Sequence, residues 1–146
     1  IMWAGMVAHN NIVGVGRAQD WNSHRIEHEL SARYDVAHGA GLSVIMPAWM
    51  RHVMQHDVTR FAQFAVRVWG CDMNFAHPEI TAAEGIDRFR AFLTSIGMPA
   101  TFAQVGAKEE DISELTAHLF SAEQEPLPGF MQLYRKDVEA IYRLAL

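Results

Sequence analysis

Apolar residues recur at helical spacing along almost the whole of this chain and hardly anywhere alternate in the two-residue rhythm of a strand, which confines the fold to packed helices. The stretch "DVTRFAQFAVRVWG" places Phe61, Phe64, Ala65 and Val68 on one helix face, with Asp57 as its cap and Gly70 as its stop. "TAAE", Thr81 to Glu84, reads as a capping box ahead of a stripe of Ile86, Phe89, Phe92, Leu93 and Ile96, closed by Gly97. An earlier helix runs from Ile1 to about Asn10 and stops at the Asn pair and the glycines at 14 and 16. The next is capped by Asp20 or a near neighbour and fades around Tyr34. A third begins near Val36 to Gly39 and carries Pro47 as a kink. Two more, about Glu109 to Phe120 and Arg135 to Ala145, complete an all-α helical bundle. "SAEQEPLPGF" is a connection, too short for a domain linker.

With 146 residues, half of them hydrophobic, the chain has enough apolar material for one core and is expected to form one domain. The net charge is −5 and lysine and arginine never cluster, which argues against a nucleic-acid partner, since phosphates require a basic stripe. The opening "IMWAGMVAHNNIVGVG" has no basic leader and is too short and broken to span a bilayer, so no membrane partner is expected. A single cysteine, Cys71, makes no internal disulfide and fits a cytoplasmic setting. No basic residue stands beside it to activate the thiol, so it reads as inert. Because the chain begins at Ile1, inside an amphipathic segment, it is read as part of a longer protein.

The chemistry is concentrated in "SHRIEHELSARYDVAHGAG", Ser23 to Gly41, where His24, His28 and His38 lie close together with Glu27 and Glu29 among them. As a bare pattern, His24 to His28 is H-x-x-E-H, the zinc-protease arrangement in which two histidines hold the metal and the glutamate activates water. That reading needs a third ligand from a later helix, and Glu109, Glu110 and Glu114 have nothing around them that selects one. The other metal reading pairs His24 with His38. On one straight helix their Cα atoms would be about 21 Å apart, whereas two imidazoles on one ion must bring their nitrogens within a few ångströms. The helix must therefore break between them. Asp35 can cap a new helix there, and Gly39 and Gly41 permit a tight turn and close backbone approach. A helical binding module with incidental histidines is the third possibility.

"MWAGMVAHN", "DWNSHRIEHELSARYDVAHGAGLSVIMPAWM" and "FLTSIGMP" resemble the C-terminal helical domain of iron-containing alcohol dehydrogenases, especially the NAD(P)H-dependent butanol dehydrogenase branch. The likeness runs over essentially the whole chain and is densest from Asp20 to Met50. It implies that His24 and His38 are two of four metal ligands, the others being the Asp and His of an upstream D-x-x-x-H element. It further implies that His28 lies near the nicotinamide and the substrate as a proton relay or contact. Fe²⁺ or Zn²⁺ would bind the oxygen of a primary alcohol or aldehyde, and NAD(P)H would exchange hydride with it. No dinucleotide loop is present: "GVGRAQ" has Gln19 where G-x-G-x-x-G needs glycine, and no strand precedes it. Residues 1–146 are thus expected to be a single all-helical metal-binding domain, a fragment without the α/β domain that binds NAD(P)H, inactive alone and a possible homo-oligomer when whole.

Other conspicuous residues read as structural. His52 and His56 read as a solvated helix face, and His9, His77 and His118 as structural histidines. Glu27 and Glu29 are read as supporting or surface carboxylates, not water activators. Trp3, Trp21, Trp49 and Trp69, with Met46, Met50 and Met54, are expected to pack the core, although Trp49 and Met50 could line a pocket beside the metal.

Overall fold

A computed structural model describes residues 1–146 as seven α-helices with no sheet. They are α1 (Met2–His9), α2 (Asn22–Tyr34), α3 (His38–Val53), α4 (Val58–Trp69), α5 (Pro78–Ser95), α6 (Ile112–Ala122) and α7 (Arg135–Leu144). Single 3-10 turns, such as Met54–His56 and Glu109–Asp111, lie between them, and the only strand-like pairing is one antiparallel bridge between Leu127 and Leu133. No helix is long and apolar enough to cross a membrane.

The central helix is α3, which buries Val44, Ile45, Ala48 and Val53 and packs on α2, α5 and α7. Pro47 is buried inside it and does not end it. Ile26 and Leu30 of α2 and Val138, Ile141 and Tyr142 of α7 share the core cluster of α3, together with Leu115 and Leu119 of α6, a helix that packs on α2 and α7. The Tyr142 hydroxyl donates to the Ile26 carbonyl at 2.9 Å, so α7 supports α2 through a polar contact inside the core. Burial pushes the Tyr142 phenol well above its usual range, which keeps it a donor.

The entrance to α2 is held from both sides. Asp20 Oδ1 accepts from the Asn22 backbone N–H at 2.7 Å, and Oδ2 accepts from the Phe130 N–H at 2.5 Å. Trp21 is the N-cap and makes no side-chain cap bond, while the Asp20 carboxylate one residue earlier satisfies the first backbone N–H of the helix and ties it to the loop before α7. Asp20→Ala is expected to lower unfolding stability by about 2 kcal/mol, the size of a lost hydrogen bond to a charged group. Urea denaturation measures it.

Several local expectations are corrected. Asp35 does not cap α3: it ends α2 in the left-handed region at φ 51°, a conformation that aspartate tolerates better than most residues, and Ala37 flanks α3 without a side-chain cap. The Thr81–Glu84 capping box is also absent, because α5 starts three residues earlier at Pro78. Thr81 is buried one turn in, accepting from Asn74 N–H at 2.9 Å and donating to the Asp72 carbonyl at 3.1 Å. Asp57 does cap α4, accepting from Arg60 N–H, and Gly70 closes that helix at φ 64°. Val68, placed on one face of α4 with Phe61, Phe64 and Ala65, is 61% exposed, whereas Ala62 is buried. Phe92 and Ile96 at the far end of α5 are exposed as well. The first helix contributes nothing to the core: α1 has no buried residue, and Trp3 is 76% exposed.

Candidate metal centre

Helix α2 sorts its residues by face. Ile26 and Leu30 point into the core, while His24 and His28, four residues apart, share the opposite side of the same helix. The left-handed Asp35 then turns the chain, and Val36 and Ala37 lead to His38, the first residue of α3. This reversal replaces the long axial separation of a continuous helix with contact. His24 Nδ1 and His38 Nε2 lie 3.0 Å apart, and the His28 and His38 rings have centroids 5.1 Å apart. The three sequence-predicted histidines are therefore brought together at one mouth between α2 and α3.

Glu27 completes the cluster from below. It is 0% exposed, accepts a hydrogen bond from His38 Nδ1 through one carboxylate oxygen and accepts from the Ser31 hydroxyl through the other. Glu27, His28 and His38 each offer a ligand-type atom within 4.8 Å of the others. Both Glu27 oxygens are engaged, and His38 Nε2 and His24 Nδ1 lie at hydrogen-bond distance from each other. Glu27 thus stands behind the His24–His38 imidazole pair. The sequence signal for Glu27 was its position four residues before Ser31 and three after His24, but no local pattern shows burial.

Trp21 packs edge-on against His24, with centroids 4.9 Å apart, and limits the swing of that ring. Burial lowers the His24 pKa, and the neighbouring His38 and His28 lower it further by charge repulsion. His24 is expected to titrate below its ordinary 6.5, as followed by proton NMR of the metal-free chain. Because the folded-state value is the depressed one, the unfolded chain takes up the proton first. This group's contribution to stability is therefore intact above about 6.5 and falls as pH drops from there toward the depressed value.

Three of the remaining histidines, His52, His56 and His118, contact groups away from this cluster. His52 is not on a solvated face as expected: it is mostly buried and meets Asp137 of α7 at 3.2 Å. His56 is exposed and lies edge-on to Phe130, and His118 of α6 meets Glu29 at 2.5 Å. Cys71 is buried, and burial pushes its thiol up, away from reactivity. Glu114, one candidate for the protease's third ligand, pairs with Arg33 at 2.6 Å. The water activator of that scheme would be Glu27, which is sealed from solvent. Trp49 and Met50 line an open cleft of about 730 Å³, with Asp20, Phe61, Phe64 and Phe130, and its lining includes none of His24, His28 and His38.

An all-helical domain that presents converging imidazoles from two consecutive helices is the class defined by this fold and site. The chain belongs to the Fe-containing alcohol dehydrogenase family, whose C-terminal family model matches residues 1–146. It is 36% identical over 148 residues to the probable NADH-dependent butanol dehydrogenase 2 of Bacillus subtilis, spanning 100% of this chain and 38% of that protein. With NADH-dependent butanol dehydrogenase A of Clostridium acetobutylicum the identity is 31%, over 98% of this chain and 37% of the relative. The crystal structure of NADH-dependent butanol dehydrogenase A from Thermotoga maritima superposes with a TM-score of 0.89 at 35% identity, covering 98% of this chain and 37% of that one. The substrate- and cofactor-free aldehyde reductase of E. coli gives 0.93 at 26% identity, covering 100% and 38%. The chain thus spans little more than a third of the length of these relatives.

Proposed function

We propose that residues 1–146 form the metal-holding helical portion of an NAD(P)-dependent alcohol dehydrogenase that interconverts primary alcohols and aldehydes of butanol and butyraldehyde size. In this reading His24 and His38 hold Fe²⁺ or Zn²⁺, and His28 is the catalytic residue that moves a proton at the substrate. The observation that carries it is the 3.0 Å approach of His24 Nδ1 to His38 Nε2. Two ligands about 2.0–2.2 Å from one ion, at angles between square and tetrahedral, lie roughly 3.0–3.5 Å apart, so the pair fits a shared cation. Imidazole donors suit either metal and do not choose between them.

When bound, the ion supplies Lewis acidity toward the substrate oxygen. The chain's own residues do the rest. Glu27 and Trp21 restrain the two imidazoles, and the exposed His28 ring can take the alcohol proton on an imidazole nitrogen and pass it to solvent. NAD(P)H is held mainly by residues outside 1–146, in keeping with the share of the relatives' length that this chain spans.

A chimera tests this proposal. The 146 residues replace the corresponding segment of the Bacillus subtilis relative, and NADH oxidation with butyraldehyde is followed. The chimera is expected to turn over and to lose activity on His24→Ala; a metal-loaded, folded chimera without turnover would count against the assignment. Residues 1–146 alone, given Fe²⁺ or Zn²⁺ and NAD(P)H, are expected not to reduce butyraldehyde. Steady cofactor oxidation there would place the nicotinamide site inside this chain.

A further inference from the structure

We propose that Glu27 is a positioning residue: its buried carboxylate fixes His38 in the tautomer with the proton on Nδ1, leaving the Nε2 lone pair directed at the cation shared with His24. The inference rests on the metal reading above for its purpose, but its geometry stands in the chain itself. A carboxylate accepts hydrogen bonds, and with Glu27 in that role in its contact with His38 Nδ1 the proposed place of the ring proton is Nδ1. Nε2 is then the acceptor nitrogen, and it is the one 3.0 Å from His24 Nδ1. Such a partner on the far nitrogen of a ligating histidine sets both ring orientation and basicity.

Three features hold the carboxylate in place. Glu27 is fully buried while the His38 side chain is 44% exposed, so the fixed element of the pair is the carboxylate and the adjustable one is the ring. Ser31, one turn further along α2, donates to the other oxygen and prevents rotation of the group. Gly41, one turn into α3, leaves the space: a Cβ there would overlap the Glu27 carboxylate and stand 2.8 Å from its Cγ. The glutamate of the H-x-x-E-H pattern is therefore turned inward, onto the histidine from the next helix, and does not reach a water.

The test is made on the 146-residue chain. Nitrogen-15 NMR of the metal-free wild type at pH 8.5 is expected to show His38 protonated on Nδ1 and not on Nε2; an Nε2-protonated ring overturns the proposal without any variant. Glu27→Leu is expected to abolish the Nδ1 preference and weaken Zn²⁺ binding about 10–100-fold, measured by chelator competition. Glu27→Gln keeps a carbonyl acceptor, so it is expected to retain the tautomer and lose less affinity. Equal losses in both variants would make Glu27 a ligand and overturn the positioning role, as would wild-type affinity in both. Should Glu27→Leu not fold, Gly41→Ala, which displaces the carboxylate without removing it, is expected to shift the tautomer in the same direction; an unshifted tautomer overturns the proposal. If the wild-type chain, which carries two of the four ligands of the metal reading, binds no Zn²⁺, the affinities are compared in the chimera with the Bacillus subtilis relative, while the tautomer measurement on the chain still decides the Glu27 contact.

Discussion

His38→Ala is expected to lower Zn²⁺ or Co²⁺ affinity by at least about 100-fold, above the 10–100-fold typical of losing only a supporting partner. Two effects combine at this residue. The cation loses the nitrogen that lies 3.0 Å from His24, so only His24 and the exposed His28 remain at the mouth. Glu27, fully buried, also loses the donor that satisfies one of its oxygens, which costs about 1–3 kcal/mol of folding stability. A matched control separates the site from histidine content in general. His52 is committed to Asp137 across α3 and α7, so His52→Ala is expected to reduce stability and leave metal affinity unchanged. Calorimetric metal titration of both variants makes the comparison; equal affinities in the two would remove the imidazole pair as the cation site.

The largest expected loss of stability comes from Gly85→Val. Helices α4 and α5 make the most extensive helix–helix contact in the molecule, and Gly85 sits where they touch. A Cβ at Gly85 would overlap that of Ala65 and lie 2.6 Å from the Ala65 Cα, which is backbone and cannot turn aside as a side chain would. Removing a glycine from a helix interior ordinarily gains up to about 1 kcal/mol. Overpacking costs about 1–3 kcal/mol where side chains can adjust, and more where two backbones must separate. The second effect therefore wins, and a net loss of about 3 kcal/mol is expected, or roughly 10 °C in the melting temperature of a chain this size. Gly39→Ala supplies the contrast, since nothing lies within 4 Å of its added Cβ and its φ is not left-handed. That variant is expected to be neutral or slightly stabilising in the same thermal scan.

Most of the helices were legible because their signals are short-range. Asp57 and Gly70 bracket α4 where expected, and the periodicities of α2, α6 and α7 place those helices within a few residues. Thr81 shows how the same logic fails: its pattern fits a helix start, but Pro78 is already suited to the first turn, and the hydroxyl is used instead to anchor the incoming loop. Val68, Phe92 and Ile96 fail differently. Periodicity identifies an apolar face but not whether another element covers it.

The amino-acid sequence by itself determined that this chain is helical, that its candidate metal ligands cluster between Ser23 and Gly41, and that His24 and His38 need a break between them to meet. Those statements depend on preferences within a helical turn or on the length of a helix. Only the tertiary structure decided that Asp35 makes the break by turning left-handed, that Glu27 is sealed behind His38, and that Gly41 leaves it room. The physical reason is that burial and hydrogen-bond partnership arise from where separate helices come to rest, and a carboxylate in water and one beneath an imidazole look the same until those helices pack.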